Sequence, residues 1–136
     1  MRVLALASAG ELSRHWNGWA GKPGHKVVRG PETGLVMVRG RAGGGGAPFN
    51  LGEATVTRAT VRLDSGEIGH AYGLGRDHGK AIHAALFDAI WQRDPMGVEA
   101  AVLAPLRAAQ AAADKTRAEE TAATRVDFFT MVRGDD

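Results

Sequence analysis

The chain has 136 residues, 44% hydrophobic and 24% charged; that is the size and make-up of one folded domain, 1–136, and it excludes a disordered chain. It holds no cysteine, which excludes disulfides, thiolate metal sites, iron–sulfur ligation and cysteine catalysis, and no apolar run approaches the ~18 residues of a membrane span. The net charge is +2, split as +5 over residues 1–80 and −3 over residues 81–136, so the first part suits an anionic ligand or an acidic partner.

Residues 1–24 read as an N-terminal helix and a linker. Val3, Leu4, Leu6, Leu12, Trp16 and Trp19 supply the apolar side of a helix over 1–19, interrupted at Gly10 and broken by Gly18, Gly21, Pro23 and Gly24. Arg2 ahead of Val3–Ala7 and the triplet Ala7-Ser8-Ala9 give only a minimal signal-peptide pattern. A short amphipathic helix and a cytoplasmic protein are expected instead.

Residues 25–75 read as a sheet. His25–Arg29 is a short strand, Glu32-Thr33-Gly34 a turn, and Leu35–Val38 an interior strand that Arg39 and Arg41 continue. Residues 40–46 hold five glycines, a loop between strands. The β-branched run from Glu53 to Leu63 is a strand whose apolar phase slips between Val56 and Ala59. That slip predicts a bulge near Thr57-Arg58 that re-aims Arg58. Asp64-Ser65-Gly66 is a hairpin turn. In the following strand Ile68, His70, Tyr72 and Leu74 share one face, while Gly69, Ala71 and Gly73 form a small-residue row open to close approach.

Residues 76–123 read as helices. Asp77 caps a helix over His78–Arg93 whose two apolar stripes, Ile82/Leu86/Ala89/Ile90 and His83/Phe87/Trp91, predict burial on two sides. Val98–Ala104 is open between strand and helix. An Ala-rich helix then enters through Pro105 and reaches about Ala123. Residues 124–136 are a tail, either a last strand or a docking segment. The architecture expected is α+β: a mostly antiparallel sheet of about four or five strands with helices packed on it.

General motifs identify no reaction. The five histidines have no ligand spacing, so no metal is expected. Gly73–Gly79 resembles a dinucleotide loop, but its strand belongs to a hairpin. There is no phosphate-binding Gly-Lys-Ser/Thr loop and no Gly-x-Ser-x-Gly elbow. Aromatic residues make up 6% of the chain and do not interleave with Lys and Arg, so no nucleic acid is expected. Arg41, Arg58, Arg62 and Arg76, with Arg39, fall on or beside the sheet. They are anion- or substrate-binding candidates if they are not simply interface ion pairs.

Several blocks in order resemble the PhnG family. They are Glu32–Val36, the Gly-rich loop into Pro48–Arg58, Gly75-Arg76-Asp77, Ala104-Pro105-Leu106 and Arg125–Gly134. Family members usually carry several more residues ahead of the position of Met1, so either a shortened N-terminal helix or a different start site is expected. The resemblance implies a small subunit of the bacterial carbon–phosphorus lyase core complex. That complex transfers a phosphonate to the ribose C1′ of ATP, displacing adenine, to give a ribose 1-phosphonate 5-triphosphate. A separate radical-SAM subunit later breaks the C–P bond. The implied partners are the other core subunits, with ATP and alkylphosphonate at the level of the complex. The chain would be accessory, with no catalytic residue carried over and no cofactor of its own. Phe128, Phe129 and Met131 of the tail, with Gly69, Ala71 and Gly73, are partner-contact candidates, and a homodimer is one state expected of the isolated chain. The competing reading is a stand-alone binder of small anions such as phosphate or phosphonate.

Overall fold

The structure, a computed structural model, describes residues 1–125. The tail with Phe128, Phe129 and Met131 lies outside the described residues. The N-terminal segment forms two helices rather than one, α1 (Arg2–Leu6) and α2 (Ala9–Gly18). The break comes at Ser8, whose extended backbone caps α2. Its hydroxyl accepts from the Glu11 amide at 3.2 Å, and the Glu11 carboxylate accepts from the Ser8 amide at 2.8 Å. This reciprocal pair satisfies two donors that a helix start otherwise leaves unpaired. It holds the Glu11 carboxyl below its ordinary range. Gly10 sits inside α2 and interrupts nothing.

Three strands form one antiparallel sheet in the order β1-β2-β3: β1 (His25–Arg41), β2 (Pro48–Leu63) and β3 (Ile68–Leu74). The expected count of four or five is therefore too high among the described residues, for two reasons. The turn expected at Glu32-Thr33-Gly34 does not turn. Pairing runs on through Glu32↔Arg58, Thr33↔Thr57 and Gly34↔Val56, so β2 holds straight a segment whose local sequence favours a bend. The second reason is Val98–Ala104, which is helical. α4 (Pro95–Val98) leads through a π turn at Glu99–Leu103 into α5 (Ala104–Ala123).

The bulge is real but lies on the other strand. Between Arg29↔Thr60 and Glu32↔Arg58, β1 carries the extra residue, at Gly30-Pro31. Gly30 has φ +73°, and a Cβ there would lie 2.7 Å from the Arg58 carbonyl oxygen, so glycine alone fits. The β2–β3 register is regular from Val56↔Leu74 to Arg62↔Ile68. Along β2 the buried row is Thr57, Ala59, Val61 and Leu63, and Val56 is buried too, from the opposite face.

α3 (His78–Arg93) lies across one face of the sheet, capped by Asp77, whose side chain accepts from the Lys80 amide at 2.7 Å. Burial on two sides is observed. Ala81, Ala85 and Ala89 are buried together with Leu86, Phe87 and Ile90. Trp16 and Trp19 pack edge-on to Phe87 at 5.9 and 5.8 Å, and Trp16 stacks on His83 at 5.9 Å. Burial pushes the His83 imidazole down from its usual value, against the opposing pull of Asp77. α3 also closes the outer edge of β3. Asp88 accepts from the His70 amide at 2.9 Å, and Gln92 donates to the Ile68 carbonyl at 2.6 Å, leaving fewer open groups for another strand.

Candidate functional site

The face of the sheet away from α3 is open and basic. Antiparallel partners share a face, so Lys26, Arg62 and Ile68 stand in one row, and Glu32, Arg58 and Tyr72 in another. Arg58 Nε donates to Glu32 Oε1 at 2.6 Å, and Arg29 Nε reaches the same oxygen at 3.0 Å. The Arg58 hydrogen bond, more than the nearby Arg29, holds the Glu32 carboxyl below its usual range. One carboxylate thus faces two guanidinium groups and the cluster stays net positive. A groove of about 270 Å³ runs beside it, with Gly34, Val36, Val56, Arg58 and Tyr72 among its walls. An aromatic ring beside a guanidinium fork can hold an anion or a flat polar ring.

The four candidate arginines do not converge. Arg58 and Arg62 share the open face, roughly 13 Å apart along the strand. Arg41 pairs with Pro48 at the far end of the ribbon, roughly 30 Å from Arg58, and its guanidinium closes the loop on the Gly46 carbonyl at 3.3 Å. Arg76 lies exposed in the turn before α3. Among the described residues Arg62 and Arg76 make no ion pair. The dinucleotide reading of Gly73–Gly79 falls with the topology, since β3 pairs antiparallel with β2 and Asp77 already serves the helix start.

A hydroxyl chain at the junction of β1, β2 and α3 escaped the sequence reading. Thr57, 3% exposed, is the buried polar residue among the described residues. Its hydroxyl donates to the Gly75 carbonyl at 2.7 Å and lies 2.9 Å from Thr33 Oγ1, which lies 3.1 Å from His78 Nε2. Each hydroxyl has one proton. Thr57 gives its own to Gly75, so Thr33 must donate to Thr57 and accept from His78 Nε2–H. The chain pins the middle of β1 to the start of α3. The visible trace in the sequence was the phase slip at Val56-Thr57, where a threonine occupies an inward position. Thr57→Val keeps the shape but leaves the Gly75 carbonyl and the Thr33 hydroxyl without this partner. We expect a loss of about 1–3 kcal/mol in urea unfolding, and a variant as stable as wild type would remove the chain from the account.

The small-residue row of β3 is filled from within the chain. Gly69 and Ala71 are buried, and a Cβ on Gly69 would fall 1.9 Å from the Ala85 carbonyl oxygen. The close approach expected of a partner is made by α3 itself, while Gly73 faces the Ala5 carbonyl oxygen and the Lys80 side chain. Among the described residues no three His, Asp or Glu side chains gather as a metal site, and no helix is long and apolar enough to cross a membrane.

A family model described as phosphonate metabolism protein PhnG matches residues 1–134. A curated relative from Rhizobium meliloti (strain 1021) is 59% identical over 137 residues, covering 100% of this chain and 88% of its own length. That relative is named alpha-D-ribose 1-methylphosphonate 5-triphosphate synthase subunit PhnG.

Proposed function

Because the chain belongs to the PhnG family of phosphonate metabolism proteins, we propose that it is a subunit of a carbon–phosphorus lyase complex, acting in ribose 1-phosphonate 5-triphosphate synthesis. The observation that carries this is the identity of 59% with a subunit of that synthase over the whole chain. In the reaction a phosphonate oxygen bonds to the ribose C1′ of ATP as the C1′–N bond to adenine breaks, and adenine leaves with a proton. This chain supports the reaction as an accessory subunit.

Its contribution toward substrate is electrostatic. Arg58 and Arg62 line the open sheet face, and guanidinium groups suit phosphonate and triphosphate oxygens. Arg41, whose guanidinium closes its own loop on the Gly46 carbonyl, and Arg76 lie apart from that pair. The test is adenine release from ATP and methylphosphonate. The chain alone should release none, and the chain with its companion subunits should release it steadily; turnover by the isolated chain would overturn the reading. Arg58→Ala breaks only an exposed ion pair, so the variant folds and assembles. We expect its KM for ATP or phosphonate to rise about tenfold, the weight of one charge-assisted contact. Unchanged kinetics would remove Arg58 from the substrate path. Calorimetry of the isolated chain with either ligand separates this from a stand-alone anion binder, which alone would give heat.

A further inference from the structure

Two parts of the molecule leave the folded body, and they leave it at the same end. β3 stops at Leu74, paired with Val56. Residues 35–55 of β1 and β2 therefore run on as a two-stranded arm, from Leu35↔Thr55 to Arg41↔Pro48, with a reach of roughly 20 Å. α5 starts where Leu103 and Arg107 share a groove with Phe87, Asp88 and Trp91 of α3. It then passes Lys80 at the start of α3, where Ala113 and Arg117 line a common groove with it. Every residue of α5 after Gln110 is exposed, and the helix continues to Ala123. The start of α3 follows directly on the end of β3, so the arm and the free half of α5 project together.

The arm carries exposed apolar residues on both faces, with Glu53 beside Met37 on one of them. Leu35 (60% exposed) and Met37 (53%) stand on the side that α3 covers further down, and Leu51 (63%) lies over Gly40. Val36 and Val38 stand on the other side, continuous with Val56, Tyr72 and Leu74 at the arm's base. Among the described residues no strand pairs with either edge of the arm past the Gly75 amide, which donates to the Thr55 carbonyl at 2.9 Å, whereas the β3 edge is closed by Asp88 and Gln92. A free two-stranded ribbon is marginal in water, and a contiguous apolar surface of this kind marks an interface. The charge specifies the occupant further. Residues 38–50 hold Arg39 and Arg41 and no acidic residue, so the tip is complementary to an acidic surface. A second copy would set like charge against like.

The geometry points to an arm gripped by a partner subunit: an apolar seat with an acidic rim holds residues 35–55, and the free half of α5 lies along the same partner. This deepens the subunit reading and rests on it. The test is co-elution of the tagged chain with co-expressed companion subunits. Wild type and Met96→Glu, a change at an exposed apolar residue (83%) outside the arm, co-elute. The double variant Leu35→Glu/Met37→Glu keeps its circular dichroism spectrum and unfolding midpoint but loses co-elution at least tenfold. Arg39→Glu/Arg41→Glu weakens it in low salt and less in high salt. A photo-crosslinking residue at position 35 of the otherwise native chain then couples to a companion subunit, a readout independent of how the double variant folds. Co-elution of the Leu35/Met37 variant at the wild-type level, or no crosslink from position 35, overturns the arm as the seat while the subunit reading stands. A dimer of the isolated chain that the same variant splits into monomers overturns it in favour of a second copy. Failure of the wild type itself to co-elute overturns both readings.

Discussion

Phe87→Ala lowers the unfolding free energy by about 4 kcal/mol and shifts the tryptophan emission to longer wavelength. Phe87 is fully buried in the middle of α3. It is the ring on which Trp16 and Trp19 both rest, at 5.9 and 5.8 Å. Removing a buried phenylalanine costs about 3–5 kcal/mol through lost burial and the cavity left behind. The aromatic contacts keep this site from the lower end of that range. α2 has a single fully buried residue, Leu12, so its hold on α3 depends on the two indoles. Trp91 is already exposed and its emission does not change. Chemical unfolding and a fluorescence spectrum check both halves. An unshifted spectrum would mean that α2 is held by something other than this aromatic cluster.

Gly69→Ala has the second largest effect, a loss of about 3 kcal/mol and roughly 10 °C in melting temperature. The added methyl carbon would meet the Ala85 carbonyl oxygen at 1.9 Å and the Ala89 amide nitrogen at 2.6 Å. Both are backbone atoms of a helix and neither can rotate away. α3 would have to rise from the sheet, and Leu86, Phe87 and Ile90 would rise with it. Gly10→Ala is the matched control. It lies inside α2 with open space around its Cβ position, so alanine there stabilises by about 0.5–1 kcal/mol. Equal midpoints for Gly69→Ala and wild type would show that α3 does not sit as closely as the geometry requires.

Parts of this fold were legible because one residue decided them locally. Asp77 announced the start of α3, Asp64-Ser65-Gly66 the β2–β3 hairpin, and Pro105 the entry to α5, and each stands where it was read. The capping box at Ser8 and Glu11 was equally local and equally readable, but Gly10 drew attention as a breaker in its place. Other features are decided across the chain. Glu32-Thr33-Gly34 has the composition of a turn and becomes strand because β2 is long enough to pair with it. The small row on β3 foretold a close approach, but only the fold could say that α3 makes it. The arginines are the clearest case. Sequence placed them on strands, and their separation along those strands keeps Arg41 out of any site shared with Arg58 and Arg62. Thr57 shows the reverse, since its inward phase was visible while its partners, Thr33, Gly75 and His78, come from three other segments.

The two-stranded construction of the arm sets a rule of parity for its length. Side chains alternate sides with a period of two. Taking two residues from each strand would shorten the reach by roughly 7 Å and leave Leu35 and its neighbours on their own side. Taking one from each would turn the distal half over and offer its greasy sides to the wrong surroundings. A natural variant of this hairpin should therefore grow or shrink in even steps per strand, or at the glycine tip, where no side is defined.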